Sequence, residues 1–267
     1  MARAEVITSA ANPLLKDVRR ALSRGALTAD GAAVAETFHL LEEALRSARD
    51  VTAVLAAESM EAAVEKVVRR RNGVRVLVVA DRIFTRLAST ESSQGVIALV
   101  RPPAWTLDQL FAGCPLVVVL DGLQDPGNAG SIVRAAEAFG ATGVLFVKGT
   151  VSPFNAKTLR ASAGSLFRIP FAVGPDGAGA RRLLDRHKVD VYATIPAAAA
   201  EAHTPAQAHL ARPCALVIGN EARGVSESMR AGATGLTIPT GPVESLNAAM
   251  ACGILLYEAW RQRSVKA

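Results

Sequence analysis

Two rhythms of apolar residues divide the chain. In the first hundred residues, amphipathic stretches alternate with short β-rich runs. Asn12-Pro13 followed by Leu14, Leu15, Val18 and Leu22 predicts a capped helix with one apolar face. Residues 37–48 carry Phe38, Leu41 and Leu45 on one side and charges opposite, a second helix. Residues 50–55, 74–79 and 94–100 read as strands, with a charged helix over 58–71. These elements predict a small α/β domain. Pro102 and Pro103 then fix extended backbone and remove two donors. They place a domain boundary between residues 104 and 105, so that 1–104 and 105–267 form separate domains.

Beyond the prolines the pattern changes. Residues 116–120, 144–147, 189–194, 215–218 and 236–238 are nearly all apolar, as strands buried on both faces of a parallel sheet are. Helical patterns over 129–139, 178–187 and 245–263 lie between or after them. The expected fold class is α/β, with a doubly wound parallel sheet in the C-terminal domain. Such sheets bind ligands beyond the carboxyl ends of their strands. The loops there are the places to search for chemistry.

Composition narrows the classes. A chain of 267 residues is comfortable for two domains, and an apolar half with mean hydropathy +0.25 excludes a disordered chain. The dense apolar stretches are strand-length, and no run of ~20 fits a membrane span. Residues 1–7 lack an apolar signal core, so the expected location is cytoplasmic. Net charge is +6, and 15 − 12 = +3 falls in residues 1–105 and again in the remainder. A polyanionic partner fits that balance, without a basic tail. Aromatics are only 4%, which argues against a stacking platform for single strands. Cys114, Cys214 and Cys252 sit in or beside apolar runs and read as core. Neither they nor His39, His187, His203 and His209 show metal-ligand spacing, so no metal is expected.

Three loops follow apolar strands and concentrate polar residues. The first runs from Asp121 through Pro126-Gly127-Asn128 to Arg134, where Asn128 is either a helix cap or a polar contact beside helix amides. The second, Gly219-Asn220-Glu221-Ala222-Arg223-Gly224, brings a carboxylate and a carboxamide to a strand end. Both are costly there if enclosed. Gly219 permits a close backbone approach. The third is a Pro/Gly-rich loop running from Ile238 to Glu244, Ser245, Leu246 and Asn247. Glu244 and Ser245 stand where caps belong, and Asn247 falls in the first helical turn.

These motifs resemble those of the SpoU/TrmH group of SPOUT RNA methyltransferases: N-x-G-x-x-x-R at Asn128, Gly130 and Arg134, G-N-E-x-x-G at Gly219 to Gly224, and I-P-x-x-G-x-x-E-S-L-N at Ile238 to Asn247. All three occur in family order, each after a predicted strand. The N-terminal half is similar to the family's small, ribosomal-protein-like RNA-binding domain. There Glu36-Thr37 stands where relatives commonly carry Glu-Gly.

The resemblance implies a deep trefoil knot, otherwise rare among folds. It implies S-adenosylmethionine bound against Gly219, Asn220, Gly224, Ile238 and Leu246, and a homodimer through the C-terminal domain. It also implies methyl transfer to a ribose 2′-hydroxyl, with Arg134 nearest the hydroxyl and Asn128, Glu221, Ser245 and Asn247 assisting. Large-subunit (23S) ribosomal RNA is the expected substrate. A transfer RNA substrate and a non-catalytic RNA-binding role are the alternatives. Lys16, Arg19, Arg20 and Arg24 on the first helix, and Arg69-Arg70-Arg71 further on, are the candidate phosphate contacts. An ordinary Rossmann nucleotide enzyme is disfavoured, because no G-x-G-x-x-G follows a strand and no P-loop exists.

Overall fold

The computed structural model describes residues 5–69, 73–90, 92–195, 202–243 and 245–264. The chain divides into two compact units, Met1–Ala104 with Ser152–Arg168, and Trp105–Val151 with Ile169–Ala267.

The first unit holds a five-stranded sheet of β1 (Glu5–Ile7), β2 (Ala33–Glu36), β3 (Val51–Ala57), β4 (Arg75–Val79) and β5 (Val96–Val100) in the order β1-β4-β3-β5-β2. β1, β4 and β3 are parallel, while β5 runs antiparallel to β3 and β2. Helix α1 (Pro13–Arg24) forms where its signals predict: Asn12 Oδ1 accepts from the Leu14 amide at 2.9 Å, and Gly25 closes the helix at φ +58°. Its Leu15, Val18 and Ala21 are buried in the core. Helices α2 (Phe38–Arg46), α3 (Glu61–Val68) and α4 (Asp81–Phe84) complete this part. The helix predicted over 58–71 is shorter, because a 3-10 turn at Glu58–Met60 precedes α3. Arg70 and Arg71 lie outside the described residues. Thr37 has φ +117°, a region in which β-branched residues are strained.

The second unit carries β6 (Leu116–Asp121), α5 (Pro126–Ala138) and β7 (Gly143–Phe146), after which the chain makes an excursion, Ser152–Arg168 with α6 (Ala156–Ala161), that belongs to the first unit. The second unit continues through β8 (Phe171–Val173), α7 (Gly177–Arg186), β9 (Asp190–Thr194), β10 (Cys214–Gly219), α8 (Glu227–Arg230), β11 (Thr234–Leu236) and α9 (Ala248–Ser264). The sheet order is β11-β9-β10-β6-β7-β8, and every pair is parallel. Val117, Val119, Val191, Ala193, Ala215 and Val217 share a core with Ala180 and Leu184 of α7. Elsewhere α9 packs on β10 and α5 on β7. Burying a Val or Leu side chain contributes about 1.5–3 kcal/mol, so apolar runs of this length favour such covered strands.

The excursion was not anticipated. It packs within the first unit, where Arg160 pairs with buried Glu36 at 2.6 Å and Arg168 pairs with buried Glu43. Several boundaries also differ from expectation; α5, expected from 129, begins at Pro126 because Asp125 caps it. The strand predicted over 236–238 lies at Thr234–Leu236, leaving Ile238 in the loop before Pro239. Helix α9 begins at Ala248 rather than 245, because Asn247 caps it from outside. Among the cysteines Cys214 and Cys252 are buried, but Cys114 is exposed and not core. No helix among the described residues is long and apolar enough to cross a membrane.

Candidate active site

The second unit contains a cavity of about 420 Å³ beyond the carboxyl ends of β9, β10 and β11. Ligand sites of open parallel sheets occupy this position, and the volume falls in the small-molecule range. All three predicted loops reach it. Gly219, Asn220, Glu221, Gly224, Ile238, Ser245, Leu246, Asn247 and Asn128 line it.

The first loop settles the role of Asn128. Asp125 caps α5, its Oδ1 accepting from the Asn128 amide at 2.7 Å, with Pro126 in the first turn. The Asn128 side chain is therefore not spent on capping. Its Nδ2 donates to Glu221 Oε1 at 3.2 Å, and its Oδ1 accepts from Asn247 Nδ2 at 2.9 Å. One hydrogen-bonded chain thus joins a residue from each loop.

Glu221 also accepts from the Gln124 and Asp125 amides, each at 3.3 Å. Partial burial pushes its carboxyl up. Hydrogen bonds from its own amide, Asn128, Gln124 and Asp125 outweigh that and hold the carboxyl below the ordinary glutamate value. Glu221 is thus an ionised acceptor at neutral pH. Because a carboxylate only accepts, it fixes which end of the Asn128 amide faces it.

The second loop is braced internally. Asn220 and Gly224 exchange backbone hydrogen bonds at 3.0 and 2.8 Å, with Gly224 at φ +68°. Asn220 Oδ1 accepts from the Ala222 and Arg223 amides, and its Nδ2 donates to the Gly122 carbonyl. What approaches Gly219 is this same loop: a Cβ there would sit 2.3 Å from Gly224 C and Val225 N. Buried Asp121 accepts from the Ser226 amide at 2.7 Å and holds the loop's far end.

In the third loop, Asn247 Oδ1 accepts from the Ala249 and Met250 amides at 2.9 and 3.2 Å. Asn247 is the cap of α9, and Ser245 lies exposed at the cavity edge. Arg263 fixes the other end of α9, donating to the carbonyls of Leu210, Cys114, Pro115 and Arg212.

Arg134 is not brought to this cavity. It is exposed on α5 and is absent from the lining. Nearby, α9 leaves Met250, Ile254, Tyr257 and Trp260 exposed, and Tyr257 meets Phe139 just past α5 edge-on at 5.9 Å. Sequence reasoning missed Thr194, Ile195, Thr237 and Thr240, which also line the cavity. Thr194 ends β9 and is followed in sequence by no polar motif, so only its place at a strand's carboxyl end could have flagged it. In the first unit Lys16, Arg19, Arg20 and Arg24 are exposed on α1, but Arg20 is paired with Asp17.

The lining chemistry is selective. Glu221 is the one ionisable side chain among the described lining residues, and none is Lys or Arg. Ile195, Ile218, Leu236, Ile238 and Leu246 form apolar walls. Such a cavity suits a cationic or neutral ligand with an apolar ring, and offers a polyphosphate no countercharge. Among the described residues no group of three or more His, Cys, Asp or Glu side chains is placed to hold a metal ion.

Comparison with known proteins agrees with this geometry. A family model described as the SpoU rRNA Methylase family matches residues 115–257, and one described as an MRM3-like substrate binding domain matches residues 12–98. The chain is 31% identical to the 23S rRNA (guanosine(2553)-2'-O)-methyltransferase RlmP of Bacillus subtilis, over 94% of this chain and 97% of that protein. It superposes on the AdoMet-bound rRNA methyltransferase of Sinorhizobium meliloti with TM-score 0.80 and 30% identity, covering 97% and 98% of the two chains. The SpoU methyltransferase AviRb of Streptomyces viridochromogenes, in complex with AdoMet, gives TM-score 0.82 at 26% identity, over 95% of this chain and 98% of that one. With its family model covering more than half its length, the chain belongs to the SpoU rRNA methylase family.

Proposed function

We propose that this protein transfers a methyl group from S-adenosylmethionine to a ribose 2′-hydroxyl of RNA, with 23S ribosomal RNA as the substrate. The observation that carries the reading is the Glu221–Asn128–Asn247 chain at a cavity walled by apolar residues and, among the described residues, free of basic ones. That lining fits a sulfonium donor with an adenine ring. Gly219, Asn220, Gly224, Ile238 and Leu246 would hold it. Bound there, S-adenosylmethionine supplies an electrophilic methyl group.

The chain's own residues then have two tasks, positioning the ribose and stabilising charge on its 2′-oxygen. Asn128 and Asn247 present oriented amides, and Ser245 adds a hydroxyl. Ionised Glu221 locks the Asn128 amide. Arg134 orients the ribose phosphate and stabilises the alkoxide rather than taking the proton, since a guanidinium is a donor without acceptor capacity.

Arg134 acts in a homodimer. Helix α9 is apolar on both its buried and its exposed side, and a second copy covers Met250, Ile254, Tyr257 and Trp260. That association brings the neighbouring α5 surface, with Arg134, into the assembled site. The loops after β10 and β11, together with α9, form the deep trefoil knot. The first unit binds substrate RNA, with Lys16 and Arg19 on phosphates; Arg20 contributes less because Asp17 neutralises it. Retention of Asn128, Arg134 and Asn247 favours an enzyme over a non-catalytic relative.

The test is a map of ribose methylation in ribosomal and transfer RNA from cells with and without the gene. Loss of one 2′-O-methyl group from 23S rRNA is expected. An unchanged 23S map with a site lost from transfer RNA overturns the substrate, and unchanged maps of both overturn the activity.

A further inference from the structure

The first unit has a cleft of its own, and no part of the methyl-transfer reading uses it. It measures about 550 Å³ and lies beyond the carboxyl ends of the parallel strands β3 and β4. Phe38, Met60, Ala57 and Phe84 supply its apolar surface, and Asp81 and Gln94, with the hydroxyls of Ser59, Thr85 and Ser93, its polar one. Two features keep it open and shaped. Gly95, at φ +70°, leaves room for Met60, whose Cγ would lie 2.6 Å from any Cβ there. Gln94 Oε1 accepts from the Phe38 amide at 2.9 Å and ties the two rims together.

The polar groups are half-used. Asp81 Oδ1 accepts from the Ser59 amide and hydroxyl at 3.1 and 3.0 Å. Among the described residues neither Asp81 Oδ2 nor Gln94 Nε2 has a partner. The cleft therefore offers a carboxylate acceptor and an amide donor. Arg82 and Arg86 flank Asp81 and Thr85 of the lining, are exposed, and pair with no described carboxylate. A carboxylate, an amide, aromatic surface and two unspent cations on one segment match a nucleotide. The free carboxylate oxygen Oδ2 takes the N1–H of guanine, the amide meets O6, and the arginines meet phosphates.

Resting on the reading that RNA is the substrate, we infer that this cleft binds one unstacked guanosine of the substrate RNA, apart from the nucleotide that is methylated. The base enters against Phe38, Asp81 and Gln94, and Arg82 and Arg86 hold its flanking phosphates. The cleft serves as an anchoring subsite that selects where on the RNA the enzyme docks.

The test uses the full-length protein and in-vitro-transcribed 23S rRNA. Kethoxal, which attacks the N1/N2 edge of unpaired guanine, reads the base, and filter binding across a KCl series reads the phosphates. Asp81→Asn keeps an oxygen for Ser59 but turns a donor toward the guanine N1–H. It is expected to lose protection of one guanine and to raise KM for RNA about tenfold, with kcat unchanged. Arg82→Ala/Arg86→Ala is expected to flatten the log K against log salt slope by about 1.4, from two single-strand phosphate contacts at about 0.7 each. Thermal unfolding of both variants controls for folding. Unchanged protection in Asp81→Asn, or an unchanged slope in the double variant, overturns the inference while leaving methyl transfer intact. Failure of the wild-type protein to bind 23S rRNA overturns the substrate reading as well.

Discussion

Asn247→Asp separates two jobs performed by one side chain. Asn247 caps α9 through Oδ1 and donates through Nδ2 to Asn128. Aspartate caps helices as well as asparagine does, so α9 should keep its cap and the thermal midpoint should stay within about 1–2 °C. The donor is lost. Where a 2.9 Å hydrogen bond stood, a carboxylate meets the Asn128 carbonyl oxygen. The amide cannot escape by turning over, because Glu221 already occupies its other side at 3.2 Å. One amide then lies between two acceptor-only groups. Losing the hydrogen bond costs about 1 kcal/mol, and an unmatched acceptor facing a charge costs about 1 kcal/mol more. At 1.36 kcal/mol per decade, about 2 kcal/mol is a roughly 30-fold loss in kcat/KM. Transfer from labelled S-adenosylmethionine to 23S rRNA measures it. Asn247→Ala is the control, losing both the cap, at about 1 kcal/mol, and the link. An Asn247→Asp protein that retains more than half of wild-type kcat/KM would refute the chain's role in holding the site.

Gly219→Ala should abolish donor binding by calorimetry and destabilise the second unit by about 1–3 kcal/mol, since its Cβ would lie 2.3 Å from loop backbone. Thr37→Gly should be neutral or stabilising by up to about 1 kcal/mol in chemical denaturation, because relief of strain at φ +117° offsets the lost Leu40 cap; Thr37→Ala, which keeps the strain and loses the cap, should be destabilising. Glu221 has a folded pKa below its unfolded one, so its ionised form stabilises fully above the ordinary glutamate value and that contribution is lost as pH falls through the lowered value. The thermal-midpoint gap between wild type and Glu221→Gln should therefore be constant near neutrality and close in acid. Arg134→Lys should lose turnover because the planar guanidinium fork is gone; full activity would show that charge alone suffices.

The sequence made the second unit largely legible because its strands are apolar on both faces and each motif follows one directly. The roles of individual residues were less so. Asn128 and Asp125 are both good caps, and only the fold reveals that Asp125 takes that job and releases Asn128. The excursion Ser152–Arg168 was invisible because its anchors are distant: Arg160 reaches Glu36 across 124 positions and Arg168 reaches Glu43 across 125. No local pattern encodes such pairs. Short β2 carried too few residues for an alternation to register, and a β-branched Thr37 argues against the positive φ it adopts. Arg134 was legible as a motif residue, yet the fold leaves it exposed on α5 and outside the cavity lining.

The central claim is that three post-strand loops build one donor pocket beside a ribose hydroxyl. It is tested most directly by incubating the purified protein with methyl-labelled S-adenosylmethionine and 23S rRNA transcript, digesting the RNA to nucleosides, and locating the label. The account predicts label in a single 2′-O-methylribonucleoside. Label on a base, or no transfer by a protein that binds both substrates, would contradict it.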